Sequence, residues 1–203
     1  MNTIRSGALI AVLGVTGSGK STFAEHIGKS LHAEVFKETF RGNPFIKGAH
    51  QKTAITFQNQ LWFLMQASKR WEKATRVKIH GNRAVMDTYN PTPLIHAEVV
   101  MDDRLSVKLL TDLSEQLTSH LLRPDLLLYL YDESEFIYNR LKNRKLLCDD
   151  TTMEFIRRQK QCHESFLPTL SIPIMHIQAR QLENLQREKT IIDEIKNHLG
   201  KIK

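Results

Sequence analysis

The sequence is poor in the features that mark several protein classes. It has two cysteines in 203 residues, Cys148 and Cys162. Their spacing matches no metal-binding pattern and implies no disulfide framework. No apolar run approaches the roughly 20 residues that a membrane-spanning helix needs. Four residues precede Arg5, and the first apolar run follows closely, so no signal peptide is expected. The chain is therefore expected in the cytoplasm. No Pro/Gly/Ser-rich linker and no repeat divides it, so residues 1–203 are expected to form one domain. A formal net charge of +7 invites a nucleic-acid reading. The basic residues are scattered, however, without a tract of five or six and without an aromatic-interleaved RNA-binding signature. Neither nucleic acid nor a membrane is expected as a partner.

What is there is an ordinary globular composition, 41% hydrophobic and 25% charged, around one sharp motif. Gly14-Val15-Thr16-Gly17-Ser18-Gly19-Lys20-Ser21 matches G-x-x-x-x-G-K-[ST], the phosphate-binding P-loop. Its glycines let backbone N–H groups approach phosphate oxygens where a Cβ would obstruct. Lys20 would reach the β- and γ-phosphates of ATP, and the Ser21 hydroxyl would ligate Mg²⁺. Thr22 belongs to the same nucleotide-binding stretch, at the start of a helix whose N-terminal partial positive charge faces the anion. The context agrees. Ala8 to Leu13 is a continuous apolar run, as in a buried parallel strand, and Phe23, Ala24, Ile27 and Leu31 recur at helical spacing.

Four further strands are expected: Ala33–Phe36, Arg83–Asp87, Asp125–Tyr131 and Ile172–Ile177. Between them the pattern predicts helices over about His50–Thr75, Arg104–Leu122, Glu133–Asn143 and Thr152–Phe166, with a closing helix over Leu182–Leu199. Asn90-Pro91-Thr92-Pro93 reads as a break. Strands alternating with helices predict an α/β fold, a five-stranded parallel sheet with helices on both faces.

A P-loop does not identify the acceptor of a phosphoryl group. Two carboxylates close strands on the side where α/β sheets meet ligands. Glu38, after the second strand, could take a proton from an attacking hydroxyl. Asp87, ending the third, could hold Mg²⁺ through water or touch the acceptor.

Together these residues resemble the deoxynucleoside kinases. The resemblance runs over about residues 7–180 and rests on five stretches. They are the P-loop; Glu38 followed by Asn43-Pro44-Phe45; Phe57-Gln58-Asn59-Gln60-Leu61-Trp62-Phe63-Leu64; Arg123-Pro124-Asp125-Leu126-Leu127-Leu128-Tyr129-Leu130; and Arg140-Leu141-Lys142-Asn143-Arg144 with Asp149 beyond. It implies transfer of the ATP γ-phosphate to a nucleoside 5′-hydroxyl with Mg²⁺, and Glu38 as the base. A glutamine would grip the nucleobase. Gln60 is the first choice and Gln58 the competitor, since residues two apart point to different faces of a helix. Phe57 or Trp62 is a candidate to stack on the base. Arg140 and Arg144 would close a lid, about residues 140–150, over the phosphates. A homodimer packed through helices is also implied.

Three departures stand against the family pattern. The arginine expected after Asp87 is Thr88, a lid arginine is replaced by Leu146, and the proline after Glu38 by Thr39. Lys145, Arg104 or Arg41 are candidates to compensate. Two alternatives follow. One is a nucleoside monophosphate kinase of the thymidylate kinase type, holding an acceptor phosphate with Arg41 or Arg70. The other is a nucleotide-binding protein that has lost catalysis.

Overall fold

The computed structural model describes residues 7–45, 56–89, 91–144 and 149–200. Asn90, Lys145, Leu146, Cys148 and the expected start of the long helix at His50 lie outside the described residues. Five strands form one sheet: β1 (Ala8–Gly14), β2 (Glu34–Phe36), β3 (Arg83–Met86), β4 (Leu126–Tyr131) and β5 (Ile174–Gln178). All pairings are parallel, in the order β2-β3-β1-β4-β5. The helices are α1 (Lys20–Leu31), α2 (Phe57–Ile79), α3 (Thr92–Val100), α4 (Arg104–Thr118), α5 (Ser134–Asn143), α6 (Asp150–Phe166) and α7 (Leu185–Leu199). The expected parallel α/β architecture is observed.

The two-residue period of β1 splits its side chains between two cores. Ile10 and Val12 join Phe23, Ile27 and Leu31 of α1 and Ile192 and Ile195 of α7 on one face. Leu9, Ala11 and Leu13 join Trp71 and Ala74 of α2 on the other. Both faces of β1 are therefore buried, which is why its sequence is apolar without alternation. A third cluster joins α2, α3 and α4 through Leu64, Ala97, Val107 and Leu110. Phe57 packs against this cluster.

The region of Pro91-Thr92-Pro93 does not simply break the chain: α3 begins there. Proline in a first helical turn forgoes an N–H that would have had no intrahelical partner, and its fixed φ suits the helix. Helix α2 ends four residues beyond the expected Thr75, at Ile79. At its start, Thr56 accepts a hydrogen bond from the Asn59 amide, an N-cap. Asp125 has a structural job at the foot of the sheet. Its carboxylate accepts the Leu9 amide of β1 at 2.8 Å and the Lys78 ammonium of α2 at 2.6 Å.

Candidate functional site

β1 and β3 are neighbours, and the chain leaves their C-terminal ends in opposite directions across the sheet, to β2 and to β4. A crevice opens at such a switch, and the charged residues of the sequence motifs gather around it. The P-loop leads from β1 into α1. Gly17 and Gly19 have φ of 88° and 98°, a left-handed backbone that disfavours side chains. Gly19 is the N-cap of α1. The Lys20 ammonium donates to the Gly14 and Val15 carbonyls at 2.9 and 3.1 Å. Burial pushes its pKa down, opposed by the charges of Glu38 and Asp87.

Asp87 ties three segments together. Its Oδ2 accepts the Ser21 hydroxyl at 2.8 Å; its Oδ1 accepts the Glu38 amide at 2.7 Å and the Thr88 hydroxyl at 3.2 Å. Side chain and backbone thus bring the P-loop helix, the end of β2 and the end of β3 to one point. Ser21 and Asp87 present hard oxygen donors side by side, a chemistry that suits Mg²⁺. Among the described residues no group of three or more His, Cys, Asp or Glu forms a protein-only metal cage. A magnesium ion held mainly by substrate phosphates and water needs no such cage.

Beside this point lies a cavity of about 180 Å³ lined by Thr16, Lys20, Glu38, Phe40, Gln60, Phe63, Thr92, Pro93, His96 and Gln159. P-loop residues lie at one side, α2 and α3 residues at the other, and Glu38 shares the wall with both. Burial raises the pKa of Glu38, while Arg70, Lys20 and a hydrogen bond from Thr88 oppose the rise. Gln60 is buried at 2% exposure and lines the cavity, whereas Gln58 is exposed. Of the two glutamines, only Gln60 faces the cavity. Phe57 and Trp62 are absent from the wall, where Phe40 and Phe63 supply the aromatic surface. Phe57 is the first residue of α2 and faces the α3–α4 side instead. His96 has no hydrogen-bond partner among the described residues. Burial lowers its pKa to about 4, so its imidazole is neutral near neutral pH.

Helix α5 packs on the P-loop. Leu141 and Ile137 cluster with Val15, and a Cβ at Gly17 would come within 2.8 Å of Leu141. Arg140 lies over the loop, its Nη2 3.1 Å from where a Cβ of Gly19 would stand. It pairs with Glu183 at 3.4 Å and lies 5.7 Å from the Phe136 ring centroid. Arg144 is different. It caps the C-terminus of α5 and is exposed.

Three features of the site had no warning in the sequence. Gln159 of α6 accepts the Thr16 amide of the P-loop at 2.8 Å across 143 residues. Asn43 donates to Asn59 at 2.8 Å, and its own oxygen accepts the Phe45 amide at 2.9 Å, which pins the loop after Glu38 to α2. Arg70 sends Nη2 to 3.7 Å from Glu38 Oε1. Of the candidates for the missing cation, Arg104 pairs with Glu98 on the surface and Arg41 is exposed.

Comparison with known proteins agrees with this geometry. The family description "Deoxynucleoside kinase" matches residues 10–200. A deoxyadenosine kinase of Dictyostelium discoideum is 25% identical over 84% of this chain and 72% of its own length. A deoxyadenosine/deoxycytidine kinase of Bacillus subtilis (strain 168) is 24% identical over 95% of this chain and 93% of its own. Among solved structures, deoxyadenosine kinase from M. mycoides with the products dCMP and dCDP superposes with a TM-score of 0.72. It is 25% identical, over 95% of this chain and 98% of that one. The same enzyme with dATP gives 0.76 at 22% identity, over 93% and 99%. No helix among the described residues is long and apolar enough to cross a membrane. That family match runs without a break from β1 into the end of the chain, and the chain belongs to the deoxynucleoside kinase family, a family of ATP-dependent phosphotransferases.

Proposed function

We propose that this protein moves the γ-phosphate of ATP to the 5′-hydroxyl of a deoxynucleoside with an amino-bearing base, adenine or cytosine. One observation carries the reading: a single cavity wall joins Lys20, Glu38 and Gln60. Gln60 reads the base edge with its amide, which both donates and accepts, and Phe40 and Phe63 offer flat apolar faces. Adenine and cytosine each present an amino donor beside a ring-nitrogen acceptor, which a carboxamide can match in pairs. The names of the relatives, deoxyadenosine and deoxyadenosine/deoxycytidine kinases, support the same bases.

Glu38 takes the proton of the 5′-hydroxyl as its oxygen bonds to the γ-phosphorus and the bond to the β-phosphate oxygen breaks, releasing ADP. Lys20, the P-loop amides and Arg140 stabilise the charge spread over the transferring group. Ser21 and Asp87 would hold Mg²⁺, which when bound neutralises charge on the β- and γ-phosphates. Arg144 joins Arg140 once a nucleotide draws the α5 end inward. The same reading makes residues 1–203 one domain and the protein a cytoplasmic homodimer. Leu105 and Leu109, exposed and one turn apart on α4, supply apolar surface for such packing.

The test incubates purified protein with ATP, Mg²⁺ and each common deoxynucleoside, and separately each monophosphate. Formation of dAMP or dCMP is expected. Folded protein that phosphorylates none of the nucleosides would sink the reading, and transfer to monophosphates alone would establish the thymidylate kinase-like alternative. Glu38→Gln should bind ATP normally and lose turnover.

A further inference from the structure

Arg70 sits in the middle of α2, two helical turns beyond Phe63 and on the same face. Its side chain is only 12% exposed. Both terminal nitrogens, Nη1 and Nη2, are buried and have no hydrogen-bond partner among the described residues. The nearest carboxylate oxygen, Glu38 Oε1, is 3.7 Å away, close enough for attraction and too far for a hydrogen bond. Asp87 is the second negative charge that acts on it.

A guanidinium keeps its charge in a protein. Burying one with its donors unspent costs free energy. A purely structural arginine would be expected to close on its partner and recover that cost. This one stops short of a carboxylate that lines the acceptor cavity. The other cations of the crevice are already engaged. Lys20 donates to loop carbonyls, and Arg140 lies over Gly19 and pairs with Glu183. At the end of β3, Thr88 brings a hydroxyl and no charge.

We propose that Arg70 is the positioning cation of the acceptor side, reaching Glu38 from behind and closing to a hydrogen bond that fixes the carboxylate against the acceptor hydroxyl. It rests on the reading of Glu38 as the base. A closure of less than 1 Å brings Nη2 within hydrogen-bond distance of Oε1, and charge-assisted bonds of this kind are strong and directional. The cavity wall does not include Arg70, so its effect passes through Glu38 and not through direct contact with the nucleoside. Stability given up at a functional site is a common trade. The arginine missing after Asp87 is thereby replaced from a different element, α2.

A double-mutant cycle tests this, with single-turnover transfer rates measured on Arg70→Met, Arg70→Lys, Glu38→Gln and the Glu38→Gln/Arg70→Met pair. Arg70→Met is expected to slow transfer by about 100-fold, with KM for ATP within about twofold of wild type. Its Tm should be unchanged or higher, because a buried charge whose terminal donors make no hydrogen bond has been removed. Arg70→Lys should recover about tenfold of the rate, and on the Glu38→Gln background Arg70→Met should cost less than about threefold more. The proposal is overturned if Arg70→Met transfers at the wild-type rate, or if its loss repeats in full on Glu38→Gln. A Tm that falls in parallel with the rate, with Lys giving no rescue, also overturns it and makes Arg70 structural. A Glu38→Gln enzyme with wild-type turnover would instead remove Glu38 as the base, a separate failure.

Discussion

The Ser21 hydroxyl donates to Asp87 Oδ2 across 2.8 Å, joining the first turn of α1 to the end of β3. The other oxygen of the same carboxylate accepts the Glu38 amide, so one side chain sets the relation between the P-loop helix and Glu38. Asp87→Ala should therefore act twice. Leaving the partly buried Glu38 amide without its acceptor should destabilise the fold by about 1–3 kcal/mol, read from urea unfolding. The Mg²⁺ concentration for half-maximal transfer should also rise. Asp87→Asn should also lose stability, because one of the two oxygens that accept from Ser21, Glu38 and Thr88 becomes an amide nitrogen, which cannot accept. Normal stability together with a normal Mg²⁺ requirement would contradict the arrangement.

Glu38 predicts opposite pH trends for rate and stability. Burial raises its pKa in the folded protein, against the smaller opposing pull of Arg70 and Lys20. A raised folded-state value means that the protonated carboxyl is favoured on folding. Its contribution to stability is therefore fully present below the unfolded-chain value and is lost as pH rises through the folded value. Proton abstraction needs the ionised form, so the rate climbs over the same interval. A pH profile of kcat/KM should show an acid limb above the ordinary Glu pKa of about 4.3, and that limb should vanish from the residual activity of Glu38→Gln. An acid limb at or below the ordinary value would count against Glu38 as the base.

The two glutamines give a sharper contrast. Gln60 is buried in the cavity wall and Gln58 is exposed. Gln60→Leu keeps the volume and removes both hydrogen-bonding atoms. It should weaken nucleoside binding by about 1–3 kcal/mol, roughly 5- to 150-fold in KM, with little change for ATP. Gln58→Leu should leave both constants alone. Steady-state kinetics with deoxyadenosine and deoxycytidine distinguish the two, and equal effects would mean that neither residue reads the base.

That contrast marks where the sequence stops being legible. Helical periodicity said that only one of the two glutamines could face a pocket, but not which one, because the choice depends on where α3 and the Glu38 loop lie. The strands were readable since β1 and β4 are buried on both faces and carry nearly unbroken apolar runs. The P-loop was readable because its chemistry is local. Helix α3 is hidden in the sequence because proline signals a break there and serves instead as a first-turn residue. Gln159 on Thr16, Asn43 on Asn59 and Arg70 beside Glu38 all join residues distant in sequence or on different elements. No local pattern encodes such pairs. The sequence offers Arg70 only as an arginine for an acceptor phosphate, and its placement beside Glu38 follows from the packing of α2 against the sheet.

His163 makes the last prediction, on stability. It is fully buried on α6, neither ring nitrogen has a hydrogen-bond partner among the described residues, and its ring meets Tyr129 edge-on at 5.8 Å. Burial, helped by the charge of Lys20, lowers its pKa from 6.5 to about 3. The folded protein therefore resists protonating a group that the unfolded chain protonates readily. Its contribution to stability is intact above the unfolded value of 6.5 and falls away as pH drops toward about 3. Within that window one proton of linkage costs about 1.4 kcal/mol per pH unit. Urea unfolding at a series of pH values below 6.5 should show that slope. His163→Phe keeps an aromatic ring against Tyr129 and carries no titratable nitrogen, so the slope should flatten by about one proton. An unchanged slope in His163→Phe would show that the acid sensitivity lies elsewhere, with His96, whose pKa is also lowered by burial, the next group to replace.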